Sequence, residues 1–132
     1  MLLRSGFAAG LLAAALISGS AAAAPVEGPA STHPCFFITQ WEGWKAPDAN
    51  TLYLRVNMHD VYRVDLSAGS SQLMDPGVHL ISNVRGSSSI CNAIDLDLKV
   101  SDGHGFSSPL IARSIRKLTP EEVAAIPKKF RP

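Results

Sequence analysis

The sequence predicts a mainly β domain: a small antiparallel barrel or compact sandwich of about six strands with a short C-terminal helix. Three observations support this fold class. Apolar and polar residues alternate in several short runs, which is typical of strands with one buried face. Turn-forming residues separate these runs at close spacing, as they do in small all-β domains. Near the C-terminus the period changes and a helix start signal follows.

The first 23 residues predict a secretory signal peptide. Arg4 precedes an apolar run from about Phe7 to Ile17, and an alanine tract then supplies an A-x-A cleavage signal. The run is too short to span a bilayer comfortably, so we expect cleavage after Ala23 and no transmembrane segment in the mature protein. Residues 24–34 hold three prolines and predict a disordered leader, which leaves 35–132 as a single periplasmic or secreted domain.

The first predicted hairpin joins two runs with a period of two. The buried face of "TLYLRVN" carries Leu52, Leu54 and Val56, with Tyr53 and Arg55 on the other face. The buried face of "VYRVDL" carries Tyr62, Val64 and Leu66, with Arg63 and Asp65 on the other face. The residues from Asn57 to Asp60 predict the connection between the two strands.

The second half of the chain predicts three more strands and a helix. Val78–Val84 is the first of these strands. In "ICNAIDLDLKV" we expect Ile94, Leu96, Leu98 and Val100 to point inward and Asp95, Asp97, Lys99 and Ser101 outward. Asp102-Gly103 marks a hairpin turn, after which "PLIARSIRKL" returns as a strand carrying Ile111 and Ile115.

A capping box predicts where the helix begins. Thr119 is the expected N-cap, Pro120 occupies the first helical position, and Glu122 stands three residues after the cap. Pro127 ends the helix at or before Ile126. Leu118, Val123, Ile126 and Phe130 are expected to lie against the sheet.

Cys35 and Cys91 are the only cysteines, and in an oxidising compartment an even count predicts a disulfide. The competing interpretation is a reactive Cys35 thiolate activated by His33, for which no third orienting group is identifiable. A zinc site is disfavoured because the four histidines are scattered singly and have no metal-ligand spacing.

Charge favours no particular partner. Without Arg4, eleven basic residues balance eleven acidic ones. Basic residues are concentrated in the last twenty positions, where a solvated helix and tail is favoured over weak contact with an acidic surface. Nucleic-acid binding is discounted, because it would require more basic residues.

Candidate catalytic groups are few. Asp95 and Asp97 are interpreted as the solvent face of a strand rather than as a metal site or a carboxylate pair. Glu42 lies between two tryptophans, but no second carboxylate can be nominated for glycosidase chemistry. We therefore expect no catalytic residue, no metal and no cofactor.

The candidate ligand-binding residues are aromatic. Trp41 and Trp44 lie in a segment that, with Gly43, Pro47 and Asp48, is predicted to be more loop than strand. Folded back, they cap one end of the core, which is the favoured interpretation; on an open face they form a ligand platform. In the second case Tyr53 and Tyr62 complete the candidate site.

Four segments in order, "CFFITQWEGW", "TLYLRVNMHDVYRVDL", "SSICNAIDLDLKV" and "RSIRKLTPEEVAAI", resemble an uncharacterised family of small exported proteins of Gram-negative bacteria, classed only as a domain of unknown function. The resemblance covers Cys35 to Ile126. Members often carry two further cysteines, near the positions of Ser71 and Ser108, which this chain lacks. The resemblance implies export and a single domain, and it implies no activity.

The leading functional hypothesis is a non-enzymatic periplasmic or secreted β-domain, a binding or inhibitor module for an unknown envelope protein or ligand, acting through its loops and the Trp41/Trp44 end. The analogy to small exported inhibitors operates at the level of fold only. The alternative is a small envelope hydrolase using Glu42, or Asp95 and Asp97, with His79 or His104. An enzyme of this kind would bring two of those groups within hydrogen-bond reach in a cleft.

Overall fold

The computed structural model describes residues 35–132, so the predicted signal peptide and leader lie outside the described residues. The described chain forms a six-stranded antiparallel sheet curled into a half-barrel, a small second sheet, and one short C-terminal helix. The predicted fold class is therefore confirmed.

The large sheet contains, in spatial order, β2 (Trp41–Asp48), β3 (Thr51–Val56), β4 (Asp60–Ala68), β8 (Ser107–Lys117), β7 (Asp97–Ser101) and β5 (His79–Asn83). The small sheet pairs β1 (Phe36–Phe37) with β6 (Ser89–Ile90). Short 3-10 turns occupy Ile38–Gln40, Ser71–Met74, Ala93–Asp95 and Lys128–Phe130. Every paired strand is antiparallel to its neighbour, and β2 and β5 form the two edges of the large sheet.

The β3–β4 hairpin forms as its alternating pattern predicts. The residues expected on its buried face, Leu52, Leu54, Val56, Tyr62, Val64 and Leu66, all lie in the main core. The turn passes through Asn57 and Met58, whose φ angles of 50° and 62° lie in the left-handed region. Asparagine adopts this region more readily than most residues, which helps to place the turn here.

The strand predicted around Ile94 begins later than expected, and the inward orientation of Ile94 is wrong. Ile94 is 90% exposed, and the chain forms a 3-10 turn at Ala93–Asp95 before β7 starts at Asp97. The cause is local: the Asp95 carboxylate accepts hydrogen bonds from the backbone N–H groups of Cys91 (2.9 Å) and Asn92 (2.8 Å). This cap bends the chain, and only Leu96, Leu98 and Val100 reach the core as predicted.

The segment expected to be loop around the tryptophans is instead the edge strand β2. Pro47 disfavours a strand because it has no backbone N–H to donate to the inter-strand hydrogen bonds. An edge strand has one unpaired side, where a missing donor costs little. The pairing of β2 with β3 also shifts register between Lys45 and Asp48, where Pro47 lies.

The helix α1 (Pro120–Ala125) begins and ends as predicted. Thr119 Oγ1 accepts a hydrogen bond from the Glu122 N–H (3.3 Å), and Glu122 Oε2 accepts one from the Thr119 N–H (2.9 Å). Ile126 is the C-cap, directly before Pro127. The reciprocal capping box therefore forms in full.

The sheet has an apolar cluster on each face. The main core lies on one face of the curled sheet and includes Leu98, Val100 and Leu110. A second cluster of Val61, Leu118 and Ile126 lies on the other side of the sheet, with Tyr53, Val123 and Phe130 packed against it as predicted for the helical segment. β8 contributes Leu110 to the main core, whereas Ile111 is exposed and Ile115 is partly buried.

The predicted disulfide between Cys35 and Cys91 is present. The neighbouring residues Phe36 and Ile90 pair across the small sheet, and both are buried. The bond therefore joins the start of the described chain to the segment that leads into β7. Among residues 35–132, no helix has the length and apolar character needed to cross a membrane.

Candidate functional site

Trp41 and Trp44 face the core side of β2. Their cross-strand partners on β3 are Val56 and Leu54, which are fully buried, and both indoles are partly buried against the main core. The Trp41 Nε1–H donates a hydrogen bond to the Gly43 carbonyl oxygen (2.9 Å). Both side chains therefore cover one edge of the core, which corresponds to the favoured interpretation of the two tryptophans.

The two candidate tyrosines lie on opposite faces of the sheet. Tyr62 is buried, with its ring centroid 4.7 Å from that of Phe36. Burial is the largest influence on Tyr62 and raises the pKa of its hydroxyl. Tyr53 lies on the outer face and lines a cleft. The structure therefore does not bring Trp41, Trp44, Tyr53 and Tyr62 together on one face.

The three candidate hydrolytic carboxylates each interact with residues outside the nominated set. Glu42 Oε2 accepts a hydrogen bond from the Met58 N–H (3.1 Å) and lies 3.5 Å from Arg55 Nε. Asp97 forms an ion pair with Arg85 (2.8 Å), and Asp95 caps its own turn. Within residues 35–132, no hydrogen bond joins two of the five groups nominated for hydrolysis, and no three His, Cys, Asp or Glu side chains cluster as metal ligands.

A cationic row crosses the outer face of the sheet. Lys45, Tyr53, Arg63 and Arg116 stand directly opposite one another on β2, β3, β4 and β8. Residues at directly opposite positions in an antiparallel sheet have side chains on the same face and close together. The register therefore places three basic side chains and one tyrosine in a line across four strands.

A cleft lies between this row and α1. Its volume is about 250 Å³, and it is lined on the sheet side by Tyr53, Arg63 and Arg116. The helix side and the connection into it contribute Leu118, Glu122, Ala125, Ile126 and Pro127. The sheet side therefore carries two guanidinium groups, and the helix side is apolar except for Glu122.

Each arginine of the cleft has one carboxylate partner. Arg63 Nε donates to Asp65 Oδ1 at 2.9 Å, and Asp65 Oδ2 also accepts a hydrogen bond from the Ser114 hydroxyl at 3.0 Å. Arg116 Nη1 donates to both carboxylate oxygens of Glu122, at 2.9 and 3.0 Å. These contacts hold the guanidinium groups in defined positions at the cleft.

The acidic partners titrate below their ordinary values. Partial burial raises the pKa of Asp65, but the hydrogen bonds from Arg63 and Ser114, with the charges of Arg63 and Arg113, outweigh it and lower the pKa overall. The pKa of Glu122 is lowered chiefly by the Thr119 N–H, with further lowering by Arg116. Both carboxylates are therefore charged at neutral pH.

Sequence reasoning placed Tyr53 and Arg63 on outward positions but did not identify the cleft. The cross-strand partner of Arg63 lies fifty-three positions away, at Arg116, and that pairing depends on β8 returning next to β4. The available signal was the basic segment directly before the capping box. The same basic residues fit a solvated helix and tail equally well, so this signal does not specify a cleft.

Comparison with known proteins does not assign the chain to a family. No protein-family model matches the chain, and no curated protein or solved structure matches it significantly. The likeness to the exported family of unknown function thus stays an expectation from the sequence.

Proposed function

We propose that this chain is an exported binding module, located in the periplasm or outside the cell, which recognises an envelope protein or ligand. Its binding site is the cleft between α1 and the outer face of the sheet. The observation that carries the proposal is the pairing of two guanidinium groups with an apolar wall. Arginine and tyrosine donors beside apolar surface are typical of recognition sites.

Export is supported by the signal-like N-terminus and by the disulfide. A bond between Cys35 and Cys91 persists in an oxidising compartment, where cellular thiol reductants do not reach it. The proposal moves the binding surface away from the Trp41/Trp44 end, because both indoles pack against the core. An inhibitor of an envelope enzyme is one form of such a module.

Site-directed photo-crosslinking in the producing cells tests this proposal. A photoreactive amino acid replaces Ala125, which lines the cleft, or Ile111, which is exposed on β8 outside it. We expect a discrete adduct from position 125 in the extracytoplasmic fraction and none from position 111. Equal labelling at both positions, no adduct at 125, or retention of the chain in the cytoplasm would contradict the proposal.

A further inference from the structure

We propose that the cleft binds a carboxylate whose neighbouring carbon carries an apolar group. Arg63 and Arg116 hold the carboxylate, and the apolar wall of the cleft holds the body of the ligand. This inference rests on the proposed function and names the ligand class of the same site. Two sources have this chemistry: a small carboxylic acid, and the C-terminal residue of a peptide chain.

The two arginines create a local demand for negative charge. They are directly opposite each other on β4 and β8, an arrangement that is unfavourable for like charges unless anions lie nearby. Asp65 and Glu122 balance these two charges, each through an ion pair with one of the arginines. What the two ion pairs leave open to a ligand is hydrogen-bonding capacity rather than net charge.

Both guanidinium groups retain donors for a ligand. A guanidinium has five N–H donors in a planar fork. Arg63 uses Nε for Asp65, and Arg116 uses Nη1 for Glu122. Within the described residues, the Nη groups of Arg63 and the Nε and Nη2 groups of Arg116 have no hydrogen-bond acceptor. The two side chains are 38% and 53% exposed, so a ligand reaches these donors from solvent.

The charge balance of the cleft favours a carboxylate over a phosphate. Two arginines and two carboxylates sum to zero, so a monoanion adds a single negative charge to the site. A dianionic phosphate would add two charges beside Asp65 and Glu122. The planar carboxylate also matches the planar guanidinium fork.

The apolar wall limits the size of the ligand's body. Leu118, Ala125, Ile126 and Pro127 form this wall, and Tyr53 packs against the cluster that contains Leu118 and Ile126. A volume of about 250 Å³ is smaller than that of most drug-sized ligand pockets and suits one amino-acid-sized group. The cleft therefore holds a small acid or a chain end, and not an extended segment.

Titrations of the purified, oxidised protein followed by NMR test the inference. The probes are N-acetylphenylalanine, its uncharged amide, phenyl phosphate, and a tripeptide ending in phenylalanine with a free or amidated C-terminus. We expect the free carboxylates to bind about tenfold more tightly than the matched amides and to shift the Tyr53 and Ala125 amide signals. A preference for the tripeptide identifies the chain end as the source, and a preference for the single residue identifies the small acid.

Two variants locate the binding. Arg63→Gln is chosen because Asp65 keeps its hydrogen bond from Ser114, and Arg116→Lys keeps the charge but removes the fork. Each is expected to reduce the advantage of the carboxylate over the amide about fivefold or more, with folding checked by thermal melting. Lys99 lies on the outward side of β7, outside the cleft. Lys99→Gln removes the same charge as Arg63→Gln and should leave the preference for the carboxylate over the amide unchanged.

Four results would overturn the inference. They are no binding of either carboxylate probe, equal binding of acid and amide, tighter binding of phenyl phosphate than of the carboxylates, and an effect of Lys99→Gln equal to that of Arg63→Gln. If crosslinking at position 125 succeeds while these titrations fail, the cleft is a binding site for another chemistry. If both fail, the proposed function fails with the inference.

Discussion

At the scale of single residues, short hydrogen bonds to carboxylates decide local geometry. Asp95 illustrates this, since its contacts to two backbone N–H groups turn Ile94 out of the strand that the alternating pattern predicted. The same contacts lower the pKa of Asp95. Glu122 has a comparable role at the start of α1, where it accepts from the Thr119 N–H and from Arg116.

Glu122 is expected to make stability depend on pH. Its pKa is lower in the folded state than the ordinary value of 4.5, so its contribution is complete above that value and is lost as the pH falls through the folded pKa. Glu122→Gln should therefore reduce the free energy of unfolding at pH 7, and the gap from wild type should narrow at pH 3. Urea denaturation at both pH values measures this difference in the free energy of unfolding.

Glu121→Gln is the matched control, because it removes the same charge from the neighbouring position of the same helical turn. We expect Glu121→Gln to lie close to wild type at pH 7. A gap for Glu122→Gln that stays constant from pH 7 to pH 3 would contradict the role assigned to its carboxylate.

At the scale of elements, two turns at one end of the sheet contact each other through their backbones. The turn between β2 and β3 presents the Ala49 carbonyl oxygen, which accepts a hydrogen bond from the Ser70 N–H at 3.0 Å. Asn50 adds a second contact, since its carbonyl oxygen accepts from the Leu66 N–H at 2.8 Å. These contacts hold the end of β4 against the edge hairpin.

Gly69 makes this close approach possible. A Cβ atom at that position would lie 1.7 Å from the Ala49 carbonyl oxygen, a backbone atom that cannot move alone. Gly69→Ala should therefore reduce the free energy of unfolding by about 1–3 kcal/mol, as forced overpacking does. Thermal and chemical denaturation measure the loss.

Gly43→Ala provides the comparison on β2. A Cβ there would meet the Arg55 guanidinium at 3.5 Å, which is ordinary van der Waals contact. We expect Gly43→Ala to be much milder than Gly69→Ala. Similar melting temperatures for the two variants would show that the two turns do not depend on a close approach.

At the scale of the whole molecule, one covalent bond restricts the unfolded chain. Cys35 and Cys91 are separated by 56 positions, and they enclose the six strands β1 to β6 within the loop that they close. In the chain-entropy model, closing a loop of this length destabilises the unfolded state by about 4 kcal/mol. That is a large part of the stability of a small domain.

Removing the bond is expected to destabilise the domain by about 2–5 kcal/mol. Cys91→Ser and the double variant Cys35→Ser/Cys91→Ser should show the same loss in denaturant unfolding, because either change breaks the same bond. Wild-type protein unfolded in a strong reductant should show the same loss of stability as these two variants. A double variant as stable as the oxidised wild type would show that the bond contributes nothing.

Local pattern was sufficient for much of this fold. Alternation identified the buried faces of β3 and β4, and the Thr119–Glu122 box placed α1, because hydrogen bonds and side-chain periodicity within a few residues control both. It failed at Ile94, where a side-chain cap competes with the strand. It also failed at β2, where Pro47 is tolerated only because the strand lies at an edge.

The candidate site depends on pairings that no local pattern contains. The outward positions of Tyr53 and Arg63 follow from alternation, but the place of Arg116 beside Arg63 follows from the strand order, in which β8 inserts between β4 and β7. The apolar wall exists only because α1 folds back over the outer face. Sequence periodicity specifies the face on which a side chain lies, whereas neighbours across strands are set by the packing of the whole sheet.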